Sequence, residues 1–294
     1  MMQHNEKFKD WLFRYQYVYR VRRTEKQKRR FLTALVTDIS ELRQDVKVIE
    51  YDRQKKYASR NVYVGNLEAA DRVICTYYDT PPQAIGPYVL FDRKVQGRGT
   101  MGFIIGSSML MLLLGGLGTF AYMRGAANEL DFTSVYTWFF AVLFGVYFFL
   151  LVKVAQVVCS RNTLVRYTSS ILTLLRLLGE TRDPKTAYAF IDEGSYGEKG
   201  LAAVRSSMKK GTKLIYLDSV GGAAPLHILG TGLSKKKNRE GFVEHTDGTA
   251  GITYIFSAQT RETAGQHTFF LTPQDLGRKR LDEDNMNQVL DLLR

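Results

Sequence analysis

The chain has 294 residues, 45% hydrophobic and 24% charged, with a formal net charge of +12. Two cysteines exclude a disulfide-stapled scaffold. The basic excess is local, since residues 1 to 60 hold 16 Lys or Arg against 8 Asp or Glu, and with no nucleic-acid recognition signature beside it no nucleic-acid partner is expected.

Residues 1–23 form a basic, aromatic arm. Phe8, Trp11, Leu12, Tyr15 and Tyr19 recur at helical spacing among Arg14, Arg20, Arg22 and Arg23. An amphipathic helix of this kind suits an anionic leaflet, with rings at headgroup level and cations on lipid phosphates. Membrane-surface contact is therefore expected of Trp11, Arg14, Arg20, Arg22 and Arg23. The alternation from Trp11 to Val21 also permits a strand, and a solvated helix face is a third option.

Past the arm, residues 24–42 place Phe31, Leu32, Leu35, Val36, Ile39 and Leu42 on one helical face. Residues 45–51 and 59–64 read as strands, and 71–78 as a buried strand stopped by Asp79-Thr80-Pro81-Pro82. Two uncharged stretches follow, Met101 to Met123 and Phe132 to Val152, each long enough to cross a bilayer as a helix. A pair of buried core helices is the competing explanation. The short connection makes the two spans a hairpin, occupying residues 99–158.

Arg93, Lys94 and Arg98 precede the hairpin and Lys153, Arg161 and Arg166 follow it, whereas its loop sets Arg124 against Glu129 and Asp131. Basic flanks are retained on the cytoplasmic side, so both termini and the α/β domain are expected there, as in an integral membrane protein with two spans. The lack of an apolar segment after Met1, and cysteines too few for a disulfide scaffold, agree with that side.

After the hairpin, residues 163–178 read as a helix stopped by Gly179. Residues 188–191 and 213–217 read as short strands around a Gly-containing helix, 251–257 as another strand, and 282–293 as a terminal amphipathic helix. Lys235 to Arg239 reads as an exposed basic loop. Without the hairpin roughly 235 residues remain, enough for one α/β domain built from residues 24–98 and 159–294.

Several strand ends, in order, resemble the di-zinc aminopeptidases, Zn-dependent exopeptidases with a mixed sheet between two helix layers. Val73 to Thr80 (VICTYYDT) is similar to the family's strand ending Ala-His-Tyr-Asp-Ser/Thr. Ser160-Arg161-Asn162 stands where the family has Asp-Asp-Asn before a helix. Phe190 to Gly197 (FIDEGSYG) resembles Phe-Asp-Gly-Glu-Glu-Tyr-Gly, and Leu214 to Gly221 (LIYLDSVG) resembles Asn-Leu-Asp-Met-Val-Gly. Glu244-His245 has the spacing of the last zinc histidine, and Leu271 to Asp275 (LTPQD) resembles His-Thr-Pro-Glu-Asp before the final helix. The resemblance implies a three-layer mixed-sheet α/β domain, interrupted here by the transmembrane hairpin.

It also implies a depleted site. Tyr77 stands at the first zinc histidine, Ser160 at the bridging aspartate, Gly194 at the general base and Ser195 at the next zinc glutamate. Asp218 and His245 remain as remnant ligands, with Asp79 as the carboxylate behind the missing histidine. The expected pocket is Tyr77, Asp79, Ser160, Ser195, Asp218 and His245. Two ligands do not build a catalytic zinc site, so no cofactor is expected unless zinc is completed by groups from elsewhere. Strand-end carboxylates binding backbone N–H groups, and a surface position for His245, are the alternatives. Only 26 residues separate Asp218 from His245, which implies a lost helix and tight turns at Gly221, Gly222, Gly230 and Gly232.

Three functions remain open. The first is a non-catalytic aminopeptidase-like membrane protein, an accessory, scaffold or peptide-recognition subunit of a membrane complex such as a transporter, with the bilayer, partner subunits and a peptide as its contacts. Gly102 and Gly106 offer that reading a small-residue helix face, or serve the hairpin's own packing. The second is a membrane-bound zinc aminopeptidase acting on peptides at the cytoplasmic face. The third is a lipid-surface structural protein whose basic arm is the active part.

Overall fold

A strand that is apolar at every position must be covered on both faces, and that condition organises this chain. The computed structural model describes residues 2–54, 57–125, 132–155, 158–233, 239–245, 251–263 and 266–294. The chain forms two units, an α/β unit of Met1–Pro81, Pro87–Phe91 and Arg161–Arg294 and a hairpin unit of Pro82–Gly86 and Asp92–Ser160. Lys235 to Asn238 of the basic loop lie outside the described residues.

In chain order the elements are α1 (Met2–Phe13), a π-helical turn (Arg14–Val18), α2 (Glu25–Ser40), β1 (Val46–Gln54), β2 (Tyr57–Val64), β3 (Arg72–Tyr77) and β4 (Tyr88–Val89). The hairpin helices are α3 (Arg93–Gly125) and α4 (Val135–Ala155). A second π-helical turn (Leu164–Thr168) leads into α5 (Ser169–Glu180), then β5 (Thr186–Ile191), α6 (Lys199–Ser206), β6 (Lys213–Asp218), β7 (Leu226–Leu229) and β8 (Phe242–His245). The chain closes with β9 (Ile252–Ser257), β10 (Gln259–Thr263), β11 (Gln266–Leu271), α7 (Pro273–Leu276) and α8 (Glu283–Leu293).

Among the described residues the main sheet has the order β1-β2-β5-β3-β6-β9-β7-β8, and β10-β11-β4 form a small antiparallel sheet. β5, β3, β6 and β9 run parallel at its centre. β5 is buried at all positions. On β2, Asn61 Nδ2 donates to the Gly200 carbonyl of α6 at 2.9 Å, while the alternate residues Val62 and Val64 are buried on the other face. Both faces are thus covered, as the resemblance implies. The interval after Asp218 holds the paired strands β7 and β8, which turn residues had hidden.

One face of the amino-terminal arm belongs to this core, which corrects the lipid-surface expectation for Trp11 and Arg22. Trp11, Tyr15 and Arg22 are buried. Tyr15 Oη donates to Asp38 Oδ2 at 2.6 Å, and Arg14 reaches both oxygens of Asp38 at 3.1 and 2.8 Å. The Arg22 guanidinium lies 3.8 Å from the Phe31 ring centroid, and its charge is spent on the Tyr15 and Tyr19 carbonyls. The arm's aromatic spacing reports this packing; burying Trp11 alone is worth about 2–3 kcal/mol. Arg23 is half-buried, its guanidinium 5.8 Å from the Tyr196 ring centroid.

In the hairpin unit, α3 and α4 are long and apolar enough to cross a membrane and are almost entirely exposed. They pack through glycines. A Cβ at Gly115 would lie 2.6 Å from Tyr147 Oη, one at Gly125 2.1 Å from Tyr136 Oη, and one at Gly118 3.7 Å from Phe144. Tyr136 Oη donates to the Ala121 carbonyl at 2.8 Å. Gly102 and Gly106 have nothing within 4 Å, so the hairpin's own packing leaves them uncovered.

Candidate functional site

In parallel sheets the loops after the carboxyl ends of the strands converge, and ligands bind there. Tyr77 ends β3, Asp192 to Ser195 follow β5, and Asp218 ends β6; Tyr77 and Ile191 are register partners. Sequence-predicted residues Tyr77, Asp79, Ser195 and Asp218 are all buried in this region.

Two residues outside the sequence-predicted set complete it. The π-helical turn before α5 carries Arg166, and β4 carries Tyr88. Arg166 Nε donates to Tyr77 Oη at 3.0 Å, and its Nη2 to the Ser195 carbonyl at 3.4 Å. The guanidinium carbon stacks 3.7 Å from the Tyr88 ring centroid. Tyr77 Oη in turn donates to Asp218 Oδ1 at 3.4 Å, Tyr88 Oη donates to Asp218 Oδ2 at 2.8 Å, and Ser219 Oγ lies 2.7 Å from Oδ1. Burial works against the Arg166 charge, but Tyr77, Tyr88 and Asp218 outweigh it and hold the group above its ordinary pKa. Burial also drives the Tyr77 phenol far above its usual value, so it stays neutral.

Asp79 faces the next loop. It accepts from the Ser195 backbone N–H at 3.1 and 3.3 Å and from Ser195 Oγ. Burial, with the nearby Asp192 charge, raises its pKa to about 6. Asp192 forms a buried ion pair with Lys28 of α2 at 2.6 Å. The neighbouring Glu193 takes a hydrogen bond from Ser59 Oγ on β2.

Gly194 is enforced by its surroundings. A Cβ there would fall 2.3 Å from Tyr77 Cβ and 3.1 Å from Tyr216 Oη. Tyr77 and Gly194 are therefore one packing solution, because the space a side chain at 194 would need is filled.

His245 corrects the expected pairing with Asp218. The sheet runs β6-β9-β7-β8, three strand spacings, or roughly 14 Å at the usual separation. His245 Nε2 lies 3.1 Å from His227 Nδ1, and His227 Nε2 donates to the Ala258 carbonyl at 2.9 Å. The His267 ring is 5.1 Å from that of His245. Ser160 lies in the hairpin unit, one residue before the α/β unit resumes at Arg161.

This donor set does not fit a zinc pair. Both Asp218 oxygens are engaged by hydroxyl groups, an organic cation sits beside them, and among the described residues no three His, Cys, Asp or Glu side chains are grouped to hold a metal ion. Arg166 had one sequence signal, a lone charge in the otherwise uncharged run from Leu164 to Leu175; Tyr88 had none.

No protein-family model matches the sequence, and no curated protein matches it. Solved structures do. A Zn-dependent exopeptidase from Parabacteroides distasonis aligns with a TM-score of 0.51 at 9% identity, over 97% of this chain and 95% of that one. LapB from Legionella pneumophila gives 0.51 at 10% identity, over 98% and 69%. Porphyromonas gingivalis glutaminyl cyclase gives 0.50 at 13% identity, over 98% and 95%. The chain has the fold of the zinc aminopeptidases and their exopeptidase relatives.

Proposed function

We propose that this chain is a non-catalytic aminopeptidase-like protein, anchored in a membrane by the α3–α4 hairpin, that serves as an accessory or scaffold subunit of a membrane complex such as a transporter. The observation that carries the reading is the seat of Arg166 among Tyr77, Tyr88, Ser195 and Asp218. A fixed guanidinium there repels a dication and occupies the donors one would need. Groups that could grip a peptide's terminus are engaged with one another, so the chain's role falls to its outer surfaces.

Membrane anchoring is supported by two exposed apolar helices, since water tolerates no apolar surface of that extent. The Lys and Arg flanks support a cytoplasmic position for both termini and the α/β unit. Gly102 and Gly106, open on all sides, leave one part of α3 available for close approach by a partner helix.

The test uses the full chain purified in a mild detergent. Elemental analysis is expected to find no stoichiometric zinc, and aminoacyl and amino-terminal glutaminyl substrates no turnover. Stoichiometric zinc with chelator-sensitive turnover overturns the non-catalytic reading. Native purification is expected to return a stable membrane-protein partner, and a monomer with none defeats the subunit role.

A further inference from the structure

The three carboxylates between residues 10 and 38 are all committed. Asp10 and Asp38 bind Arg14, and Glu25 binds Arg60 at 2.7 Å and the Ala58 N–H at 3.3 Å. Between Asp10 and Asp38 the sequence has no acidic residue other than Glu25, yet it has six arginines. Arg20 and Arg30 therefore have no local counter-charge, and the fold brings Arg161 to join them.

These three arginines line one groove of about 370 Å3, with Tyr17, Tyr19 and Gln27. Arg20 Nε donates to the Arg161 carbonyl at 2.8 Å, which ties the arm to the start of the returning chain and leaves the outer nitrogens of Arg20 for the groove. The Arg30 guanidinium lies 5.8 Å from the Tyr19 ring centroid. Gln27 Oε1 accepts from the Arg23 and Thr24 N–H groups at 3.2 and 3.1 Å, so its amide nitrogen is what remains to offer. No carboxylate lines the groove, and none of its arginines is in an ion pair among the described residues.

We infer that this groove is a binding site for a phosphate monoester, either a free phosphorylated small molecule or the headgroup of a phosphorylated lipid. A monoester carries nearly two negative charges near neutral pH, and planar guanidinium groups bind its oxygens in pairs. The volume suits a small ligand, and the exposed Tyr17 ring at the rim offers a flat face to its carbon skeleton. Arg161 follows Ala155, the last residue of α4, by six positions, which makes a lipid source worth separating from a soluble one. The site is independent of the zinc question, since none of its residues belongs to the Arg166 cluster.

Isothermal titration of the full chain in neutral detergent tests it with three probes: inorganic phosphate, dioctanoyl phosphatidic acid and dioctanoyl phosphatidylcholine. Phosphatidic acid is expected to bind and phosphatidylcholine not to. Binding of inorganic phosphate as well assigns the site to the phosphate itself, and binding of phosphatidic acid alone assigns it to a lipid headgroup; either supports the inference. Arg30→Ala and Arg161→Ala are each expected to weaken binding by at least about ten-fold, whereas Arg53→Ala, at a strongly exposed site on β1, leaves it unchanged. Circular dichroism melting verifies that each variant is folded. No binding of inorganic phosphate or phosphatidic acid, equal binding of phosphatidylcholine, or binding that survives in Arg20→Ala/Arg30→Ala overturns the inference.

Discussion

Arginine is used in two opposite ways in this protein. At the carboxyl ends of β3, β5 and β6, Arg166 is buried, stacked on Tyr88 and hydrogen-bonded to Tyr77 and Ser195. In the groove at the end of the arm, Arg20, Arg30 and Arg161 face one another with no carboxylate in the lining. The first arrangement satisfies every partner internally and closes a site; the second leaves charge unspent and opens one.

The largest effect expected from this contrast follows Arg166→Met. It leaves Asp218 buried without its cation and is expected to cost about 3–5 kcal/mol in chemical denaturation of the full chain. Adding Asp218→Asn is expected to recover part of that loss, and a cost of Arg166→Met below about 1 kcal/mol would break the comparison. Gly194→Ala comes next, at about 1–3 kcal/mol, because its Cβ lands against Tyr77. For the same reason Gly194→Glu, although it restores the base in name, is expected to yield neither bound zinc nor peptidase turnover.

The pH response sharpens the picture of the closed site. Burial holds Asp79 at about 6, against roughly 3.9 in an unfolded chain. The folded state therefore holds the extra proton between these values, so this contribution is complete below about pH 4 and is lost as pH rises through 6. His227, lowered by burial, acts with the opposite sign, its contribution present above about pH 6.5 and lost as pH falls through its folded value. Asp79→Asn is expected to reduce the stability lost between pH 4 and 6 by roughly 1–3 kcal/mol. An unchanged slope would place the Asp79 proton elsewhere. The smallest effect belongs to the groove: Arg30→Ala is expected to change stability by less than about 0.5 kcal/mol, and a larger loss would make that arginine structural.

The sheet was legible because β3, β5, β6 and β9 carry continuous apolar runs between turn residues, and α3 and α4 because charge-free length is a strong signal. The arm misled, since Trp11 and Tyr15 follow one helical stripe whether they meet lipid or α5. At the site, the sequence marked Tyr77, Gly194 and Ser195, but not the groups that pack and pair with them. Arg166 and Tyr88 are distant in sequence and meet only through the fold. His245 matched in spacing alone; the strands β7 and β8 carry it to the far side of the sheet, where it finds His227.

The strand order has a consequence for biosynthesis. β2 and β3 are not neighbours; β5 lies between them, pairing antiparallel with one and parallel with the other. β2 and β3 leave the ribosome before the apolar helices and β5 after them. Synthesis from Tyr77 to Ile191 takes on the order of 10 s, during which both strands have open edges. Both apolar helices, α3 and α4, are made within that interval, so the sheet closes only after they have left the ribosome.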